Sequence, residues 1–199
     1  SNRFSLVALL ESDGFETVDL GLIPDNEEAI ETTVREGVAK CDALVTTGGV
    51  SMGDYDYVKV VLNKMGDMRW MQIAIKPAKP FAFGVVQGVP IFGLPGNPVS
   101  SMVSYLLLAK PALNKMMGKK SIFPKVFHGI AADDFRRRAD GKTHFVRSFL
   151  HEEKGATLLS PIGKQGSHQL SGMAEANTLS IIPNGDGVTN GNPIEYFRF

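Results

Sequence analysis

Two glycine-rich segments of the sequence have the residue types and spacing that bind phosphate-like anions. They are residues 46–54, with the sequence TTGGVSMGD, and residues 93–101, with the sequence GLPGNPVSS. Each follows an apolar, strand-like run and leads into a helical pattern. Glycine lets the backbone approach a ligand closely, and a helix start presents unpaired N–H groups and the positive end of the helix dipole. The two segments therefore predict a pair of oxyanion-binding turns.

Hydroxyl and proline side chains add to this prediction. Thr47 and Ser51 bring donors to the first turn, although an ordinary tight turn between a strand and a helix would use the same glycines. In the second turn, Pro95 and Pro98 fix the chain just before Ser100 begins a helix. That rigidity suits a preformed site.

Two lysines lie between the glycine segments, in the sequence KPAKP of residues 76–80. A lysine usually occupies a solvated surface position. Here Pro77 and Pro80 are expected to hold the chain extended, so that the ammonium groups of Lys76 and Lys79 can point to one place. We interpret both lysines as anion ligands.

Two aspartates could hold a cation beside the anion. Asp25 and Asp56 are both predicted to follow strands, at the sheet edge where open α/β proteins bind ligands. Mg²⁺ is usually held by one or two carboxylates together with waters and substrate oxygens. Each acid also has a structural interpretation, because residues 25–28 resemble a helix cap and the helix dipole favours an acid at position 56. As a pair, they predict a Mg²⁺ site.

Candidate residues are sparser in the last third of the chain. Arg147 lies in a strand-like run and Ser167 in a glycine-rich loop, and most residues of this kind are structural or solvated. Residues 136–138 are three consecutive arginines. They predict a solvated turn rather than a nucleic-acid patch, because no aromatic residues are interleaved with them.

The overall composition excludes several functions. The 21 basic residues balance the 21 acidic ones, so no net field attracts nucleic acid or an anionic membrane. Cys41 is the single cysteine, which excludes an internal disulfide and is typical of a reducing compartment. No apolar stretch reaches the length of a membrane span. We therefore expect a cytoplasmic protein whose ligands are small anions.

The element pattern predicts an α/β fold followed by a small all-β domain. In residues 1–120, helical and strand-like patterns alternate, which indicates a mixed, mostly parallel sheet with flanking helices. The helices are predicted at 4–13, 26–40, 55–65 and 99–117, and the strands at 15–20, 43–47, 70–75, 81–86 and 89–93. After Pro124, short strands are predicted at 125–131, 143–151, 156–160, 178–182 and 193–199. One domain is therefore placed at 1–120 and the second at 121–199.

Three motifs together resemble those of one enzyme family. Residues 48–57, 76–81 and 93–100, in this order, closely resemble the molybdopterin molybdenumtransferase family, to which MoeA and the gephyrin E domain belong. The likeness continues through residues 143–147 and 165–168, so it covers nearly the whole chain. It implies a molybdopterin-binding, MogA/MoaB-like α/β domain followed by the family's C-terminal β domain.

The resemblance also implies an activity and a set of site residues. Family members use Mg²⁺ to cleave adenylylated molybdopterin, place molybdenum from molybdate on its dithiolene and release AMP. By this likeness, Asp25, Asp56 and Lys76 are the catalytic candidates, and the two acids are the Mg²⁺ ligands. The substrate-binding candidates are Thr47, Gly48, Gly49, Ser51, Gly53, Asp54, Lys79, Pro80, Pro95, Gly96, Asn97, Pro98, Ser100, Arg147 and Ser167. Lys76, Lys79, Pro80, Ser100, Arg147 and Ser167 would surround the molybdate.

The chain departs from the family mainly by what precedes its first residue. Family members have two further domains there, and an opening strand that supplies another acid, so we expect this chain to be a C-terminal fragment of a homodimeric protein. Gln72 also stands where some members carry a lysine. Two alternatives are a non-catalytic scaffold of the gephyrin type and a molybdopterin adenylyltransferase. The second normally lacks the C-terminal β domain, so residues 125–199 argue against it.

Overall fold

The computed structural model describes residues 2–50, 56–163, 165–166 and 171–199. By its contacts, the chain forms two compact units. The first consists of Ser1–Ile73 and Pro80–Tyr105, and the second of Ala74–Lys79 and Leu106–Phe199. The predicted domain boundary after residue 120 stays a prediction.

The first unit contains four helices and four strands among its described residues. The helices are α1 (Asn2–Ser12), α2 (Glu27–Lys40), α3 (Tyr57–Met65) and α4 (Pro98–Ser104). The strands are β1 (Leu44–Thr47), β2 (Asp67–Gln72), β4 (Pro80–Val86) and β5 (Val89–Leu94), and β3 (Ile75–Lys76) belongs to the second unit. The predicted α/β class is confirmed.

The sheet of the first unit has the order β1-β5-β4-β2. Strands β1 and β5 are parallel, but β5 with β4 and β4 with β2 are antiparallel. The prediction of a mostly parallel sheet is therefore wrong. The physical reason is the predicted hairpin at Gln87 and Gly88, which is confirmed. Both residues have positive φ, and they reverse the chain between adjacent strands.

Apolar side chains from two helices and the sheet form the core of this unit. Its buried residues are Ile30, Val34 and Val38 of α2, Val61 and Leu62 of α3, and Leu44, Val86 and Ile91 of the sheet. The α2 positions recur every four residues, as the helical pattern predicted. At Gly37, a Cβ would lie 2.6 Å from Leu44 Cδ2, so glycine allows the helix to approach the sheet.

The segment between α1 and α2 differs from the prediction. Residues 15–20 form no strand, because no described strand pairs with them. Instead the segment is irregular, and Asp19 accepts a hydrogen bond from Gly21 N at 2.9 Å and pairs with Arg3 Nε at 3.3 Å. The cap of α2 is Asn26 rather than Asp25, because Asn26 Oδ1 accepts from Ala29 N at 2.9 Å.

The predicted helix over 99–117 is observed with an interruption. A π-helical segment, Tyr105–Ala109, separates α4 from α5 (Lys110–Met116). Pro111 lacks an N–H, and in a regular α-helix its ring would clash with the carbonyl group four residues earlier. The wider π turn just before it avoids that clash.

The second unit is built around a closed β-barrel. Its strands are β3, β6 (Phe127–Ala131), β7 (Phe135–Arg136), β8 (Thr143–Glu153), β9 (Ala156–Pro161), β10 (Thr178–Ile182), β11 (Gly187–Val188) and β12 (Pro193–Arg198), and a short helix, α6 (Ser171–Glu175), precedes β10. Five strands pair in the order β10-β12-β6-β9-β8, and β8 pairs again with β10, which closes the barrel. The predicted strands after Pro124 are all observed.

Buried apolar side chains fill the barrel. They are Ala131, Phe135, Leu159, Ile182, Ile194 and Tyr196. Strand β3 pairs in parallel with the beginning of β8, where Lys76 lies opposite His144. No helix among the described residues is long and apolar enough to cross a membrane.

Candidate functional site

The two predicted glycine turns lie side by side in the first unit. Strands β1 and β5 are parallel neighbours, so their carboxyl ends reach the same edge of the sheet. There Gly48 N donates a hydrogen bond to Leu94 O at 3.0 Å. A Cβ built on Gly96 would lie 3.6 Å from Gly48 Cα. The structure therefore brings together two segments that are about 50 residues apart in the sequence.

The glycines of the two turns have different roles. Gly48 and Gly49 have φ angles of +91° and +74°, which residues with a side chain rarely adopt. A Cβ on Gly49 would also lie 2.5 Å from Val58 Cβ. Gly96 has no positive φ, and its missing side chain leaves space beside Gly48. The first turn thus needs glycine because of its positive φ angles. In the second turn, glycine has no such backbone requirement, and Gly96 is exposed.

A hydrogen-bond network supports both turns. Asn2 Nδ2 donates to Thr47 Oγ1 at 2.9 Å and to Gly96 O at 2.7 Å. Thr47 Oγ1 also lies 3.1 Å from Pro95 O and 3.2 Å from Ser101 Oγ. Because a hydroxyl has one hydrogen and two lone pairs, Thr47 donates to Pro95 and accepts from Asn2 and Ser101. These contacts use the whole hydrogen-bonding capacity of Thr47, and neither Asn2 nor Ser101 was a candidate from the sequence.

The other candidates of the first unit lie around the second turn and at the start of β4. Pro98 is the first residue of α4, and Asn97 caps that helix without a side-chain hydrogen bond to it. Ser100 is only 5% exposed. Pro80 is the first residue of β4. Ser51, Gly53 and Asp54 lie outside the described residues.

The two candidate acids precede different helices. Asp56 caps α3, and its Oδ1 accepts a hydrogen bond from Val58 N at 3.1 Å. Asp25 is exposed in the bend before α2, and the strand expected to precede it does not form. Within residues 2–50, 56–163, 165–166 and 171–199, no three His, Cys, Asp or Glu side chains gather as metal ligands. Asp56 still has a second carboxylate oxygen, which fits a Mg²⁺ ion completed by water and ligand oxygens.

The two candidate lysines are exposed in the second unit. Lys76 ends β3, and the Lys76–Pro77 peptide bond is cis. Ala78 is buried and has a φ of +82°, so the chain turns between the lysines. The prediction of an extended segment is therefore wrong. Proline restricts its own φ and disfavours only the helical region before it, which leaves Ala78 free to adopt the left-handed conformation.

An arginine network lies at the beginning of β8. The prediction of three solvated arginines is wrong for Arg137, whose side chain is 3% exposed, whereas that of Arg136 is 88% exposed. Arg137 Nη1 donates to the carbonyl groups of Lys142, Ile182 and Pro183 at 2.9, 3.1 and 3.0 Å. Buried carbonyl groups need hydrogen-bond donors, and here a single guanidinium group donates to three of them.

A carboxylate and an imidazole continue this network. Asp140 accepts a hydrogen bond from Arg137 Nη2 at 2.7 Å, and His144 Nε2 lies 3.1 Å from Asp140 Oδ2. The bond to His144 lowers the pKa of Asp140 to about 2. Burial lowers the pKa of His144, the charges of Arg137 and Lys76 act in the same direction, and the Asp140 carboxylate opposes them. The exposed Lys76 therefore neighbours a neutral, hydrogen-bonded histidine at pH 7.

Arg147 lies beside the loop that leads to Ser167. Arg147 is 1% exposed, and its Nη2 donates to Gly166 O at 3.2 Å. Gln165 Oε1 accepts from Arg147 N at 3.2 Å, and Gln165 Nε2 donates to Arg147 O at 2.8 Å. Burial lowers the pKa of the guanidinium group, and Glu175 opposes that shift. Ser167 lies outside the described residues, and Gln165 was not among the predicted site residues.

These features define a class of protein: an α/β unit with paired glycine turns at the carboxyl edge of its sheet, followed by a small β-barrel. Residues 1–115 match the family model described as "Probable molybdopterin binding domain". Residues 129–199 match "MoeA C-terminal region (domain IV)". The chain therefore belongs to the molybdopterin-binding domain family and carries the MoeA C-terminal region behind that domain. The resemblance inferred from the three motifs is confirmed.

Similar proteins carry a consistent name. The chain is 39% identical over 184 residues to the molybdopterin molybdenumtransferase of Haemophilus influenzae, covering 92% of this chain and 45% of the relative. It is 29% identical to that of Bacillus subtilis, covering 98% and 46%. The crystal structure of the MoeA molybdopterin biosynthesis protein from Pyrococcus horikosii matches with a TM-score of 0.82 and 25% identity, covering 100% and 47%. The chain thus spans about half the length of the relatives that it matches.

Proposed function

We propose that this chain takes part in molybdenum cofactor biosynthesis by binding adenylylated molybdopterin and inserting molybdenum from molybdate, with release of AMP. The observation that supports it best is the contact between the turns of Gly48 and Gly96 at the carboxyl edge of the sheet. Ligands of open α/β sheets bind at this edge. The names of the relatives, all molybdopterin molybdenumtransferases, agree with this assignment.

The paired turns would bind the phosphate of the substrate. Gly48 N already donates to Leu94 O, so the donors would come from Gly49 and the residues that follow it. Ser51, Gly53 and Asp54 are the remaining candidates of the first turn. The second turn, Pro95 to Pro98, would bind the same phosphate through its backbone, because Gly96 is exposed and lies beside Gly48.

Asp56 would hold Mg²⁺ through the carboxylate oxygen that does not cap α3, and Asp25 remains the second predicted ligand. The ion would neutralise charge on the phosphate oxygens during cleavage of the anhydride. The Mg²⁺ requirement, the homodimer and the cytoplasmic location stay predictions.

Molybdate would be bound by cationic and hydroxyl groups. Lys76, Lys79 and Arg147 would supply positive charge, Ser100 and Ser167 would supply hydroxyl groups, and Pro80 is the remaining candidate. A tetrahedral dianion suits ammonium, guanidinium and hydroxyl donors. In the insertion step two Mo–S bonds form and one Mo–O bond breaks. The two thiol protons leave with that oxide as water, and molybdenum keeps its oxidation state. Anhydride cleavage consumes one water and releases AMP.

Binding and transfer assays on the full-length protein test this function. We expect calorimetric binding of molybdopterin, loss of molybdenum transfer in Asp56→Asn, and weaker molybdate binding in Lys76→Met. Lys154→Met is the matched control, because that side chain is 90% exposed and lies outside the candidate site. A protein that binds neither molybdopterin nor its adenylylated form would refute the proposal. Capture of a peptide partner that survives both substitutions would favour the scaffold alternative instead.

The adenylyltransferase alternative fits the structure less well. That class normally lacks a C-terminal β domain, and here residues 129–199 match the MoeA C-terminal region. Four of the five barrel strands lie entirely within those residues, and the fifth, β6, lies mostly within them. The barrel therefore favours the molybdenumtransferase assignment.

A further inference from the structure

One carboxamide group joins the two glycine turns. The Nδ2 atom of Asn2 carries two hydrogens, and it donates one to Thr47 Oγ1 at 2.9 Å and the other to Gly96 O at 2.7 Å. Thr47 is the last residue of β1, and Gly96 follows the end of β5. Asn2, at the start of α1, therefore donates both of its amide hydrogens, one to each turn.

Hydrogen bonds link the two turns. Gly48, Gly49 and Gly96 have no side chains to pack against one another, so the links between the turns at these residues are hydrogen bonds. The Gly48 N to Leu94 O bond joins the turns at the strand ends, and the Asn2 side chain joins Thr47 to Gly96 O, two residues beyond Leu94. Thr47 is fully occupied by Asn2, Pro95 and Ser101, so its hydroxyl supports the turns.

We propose that Asn2 is a positioning residue that sets the distance between the two turns, and thereby the affinity for the phosphate of the pterin substrate. This inference rests on the proposed function, because it concerns the same phosphate. N–H donors bind an anion well only when they are held within about 0.5 Å of the required geometry. Asn2 acts through Thr47 and Gly96 and needs no contact with the substrate itself.

Calorimetric titration of molybdopterin into the full-length protein tests the inference. We expect Asn2→Ala to raise the dissociation constant roughly tenfold, because two hydrogen bonds that position the donors are lost. Asn2→Asp keeps the side-chain shape but removes both donors and brings a carboxylate towards Gly96 O and the bound anion. Its loss of affinity should be larger, and the excess over Asn2→Ala should shrink as salt is added.

A steady-state assay separates positioning from a general loss of structure. The KM for adenylylated molybdopterin should rise in Asn2→Ala, while the KM for molybdate stays unchanged. Asn177→Ala is the matched control in the barrel, where the Asn177 carboxamide bonds Leu150 N at 2.8 Å and Leu150 O at 3.1 Å. This control should lower the melting temperature without changing the dissociation constant for molybdopterin.

The outcomes separate this inference from the proposed function. If the unmodified protein binds no molybdopterin, both are refuted together. If it binds and Asn2→Ala binds within twofold of it, only the role of Asn2 is refuted. Equal increases in both KM values would also refute it, because they indicate a general structural role. Should Asn2→Ala fail to fold, unchanged affinity of the isosteric Asn2→Asp at low salt would be the refuting result.

Discussion

The candidate residues of the α/β unit lie mainly in backbone turns, whereas those of the barrel unit include buried charged side chains. In the α/β unit, glycine turns expose backbone, and one network of short polar side chains supports them. In the barrel unit, long charged side chains are buried against carbonyl groups, as at Arg137 and Arg147. A turn is encoded locally by its glycines and prolines. A buried network depends on segments that only the closed barrel brings together.

The largest effect is expected where a buried guanidinium group holds the barrel network. Arg137→Ala would leave the carbonyl groups of Lys142, Ile182 and Pro183 without this donor, and Asp140 without its closest cation. We expect the free energy of unfolding to fall by about 3 kcal/mol. Urea denaturation measures this change in the free energy of unfolding.

The neighbouring arginine is the matched control for this substitution. Arg136 is 88% exposed, so Arg136→Ala should cost less than about 0.5 kcal/mol. Similar losses for both variants would mean that burial of Arg137 contributes nothing to stability. That result would contradict the view that a buried side-chain network stabilises the barrel unit.

A smaller effect is expected when a side chain is added to the first turn. Gly49→Ala would place a Cβ 2.5 Å from Val58 Cβ at a φ of +74°, so both overpacking and backbone strain oppose it. We expect a loss of about 2 kcal/mol. Gly96→Ala makes only an ordinary contact at 3.6 Å and should change stability by less than about 0.5 kcal/mol. Thermal unfolding compares the two, and an equal loss at Gly96 would contradict the distinct roles of these glycines.

The smallest effect concerns pH and is confined to the barrel network. Folding lowers the pKa of His144 from its usual 6.5 and that of Asp140 from 3.8 to about 2. A group with a lowered folded pKa stabilises the protein above its unfolded pKa and loses that contribution as the pH falls. Stability should therefore decrease below about pH 6.5 through His144, and again between about pH 4 and pH 2 through Asp140.

Urea midpoints from pH 7 to pH 2 measure these two steps. Asp140→Asn should remove the second step. His144→Gln should remove the first and also reduce the second, because the bond to His144 lowers the pKa of Asp140. His128→Gln is the matched control, because that imidazole is 75% exposed and lies 3.9 Å from the carboxylate of Glu195. If His128→Gln changed the profile as much as His144→Gln, the pH dependence would not come from the buried network.

Local features of the fold were largely predictable. The strands after Pro124, the hairpin at Gln87 and Gly88, and the helices α1, α2 and α3 follow from periodicity and from turn residues. The prediction of a strand over 15–20 was wrong. A strand needs an adjacent strand to pair with, and the sequence pattern of one segment does not show whether one is present. The prediction of a mostly parallel sheet was wrong for a related reason, because the direction of pairing depends on which strands become adjacent.

The site shows the same division between local and long-range information. The sequence by itself determined the glycine turns and an acid at the start of α3, because glycine acts on its own backbone and an acid at a helix start acts within one helical turn. It did not determine the course of the chain between Lys76 and Lys79, where Ala78 has a positive φ. Only the tertiary structure decided that Asn2 joins the two turns, that Arg137 is buried and that Gln165 holds Arg147. Those contacts join distant segments, and no local residue pattern specifies which donors and acceptors folding will bring within hydrogen-bond distance.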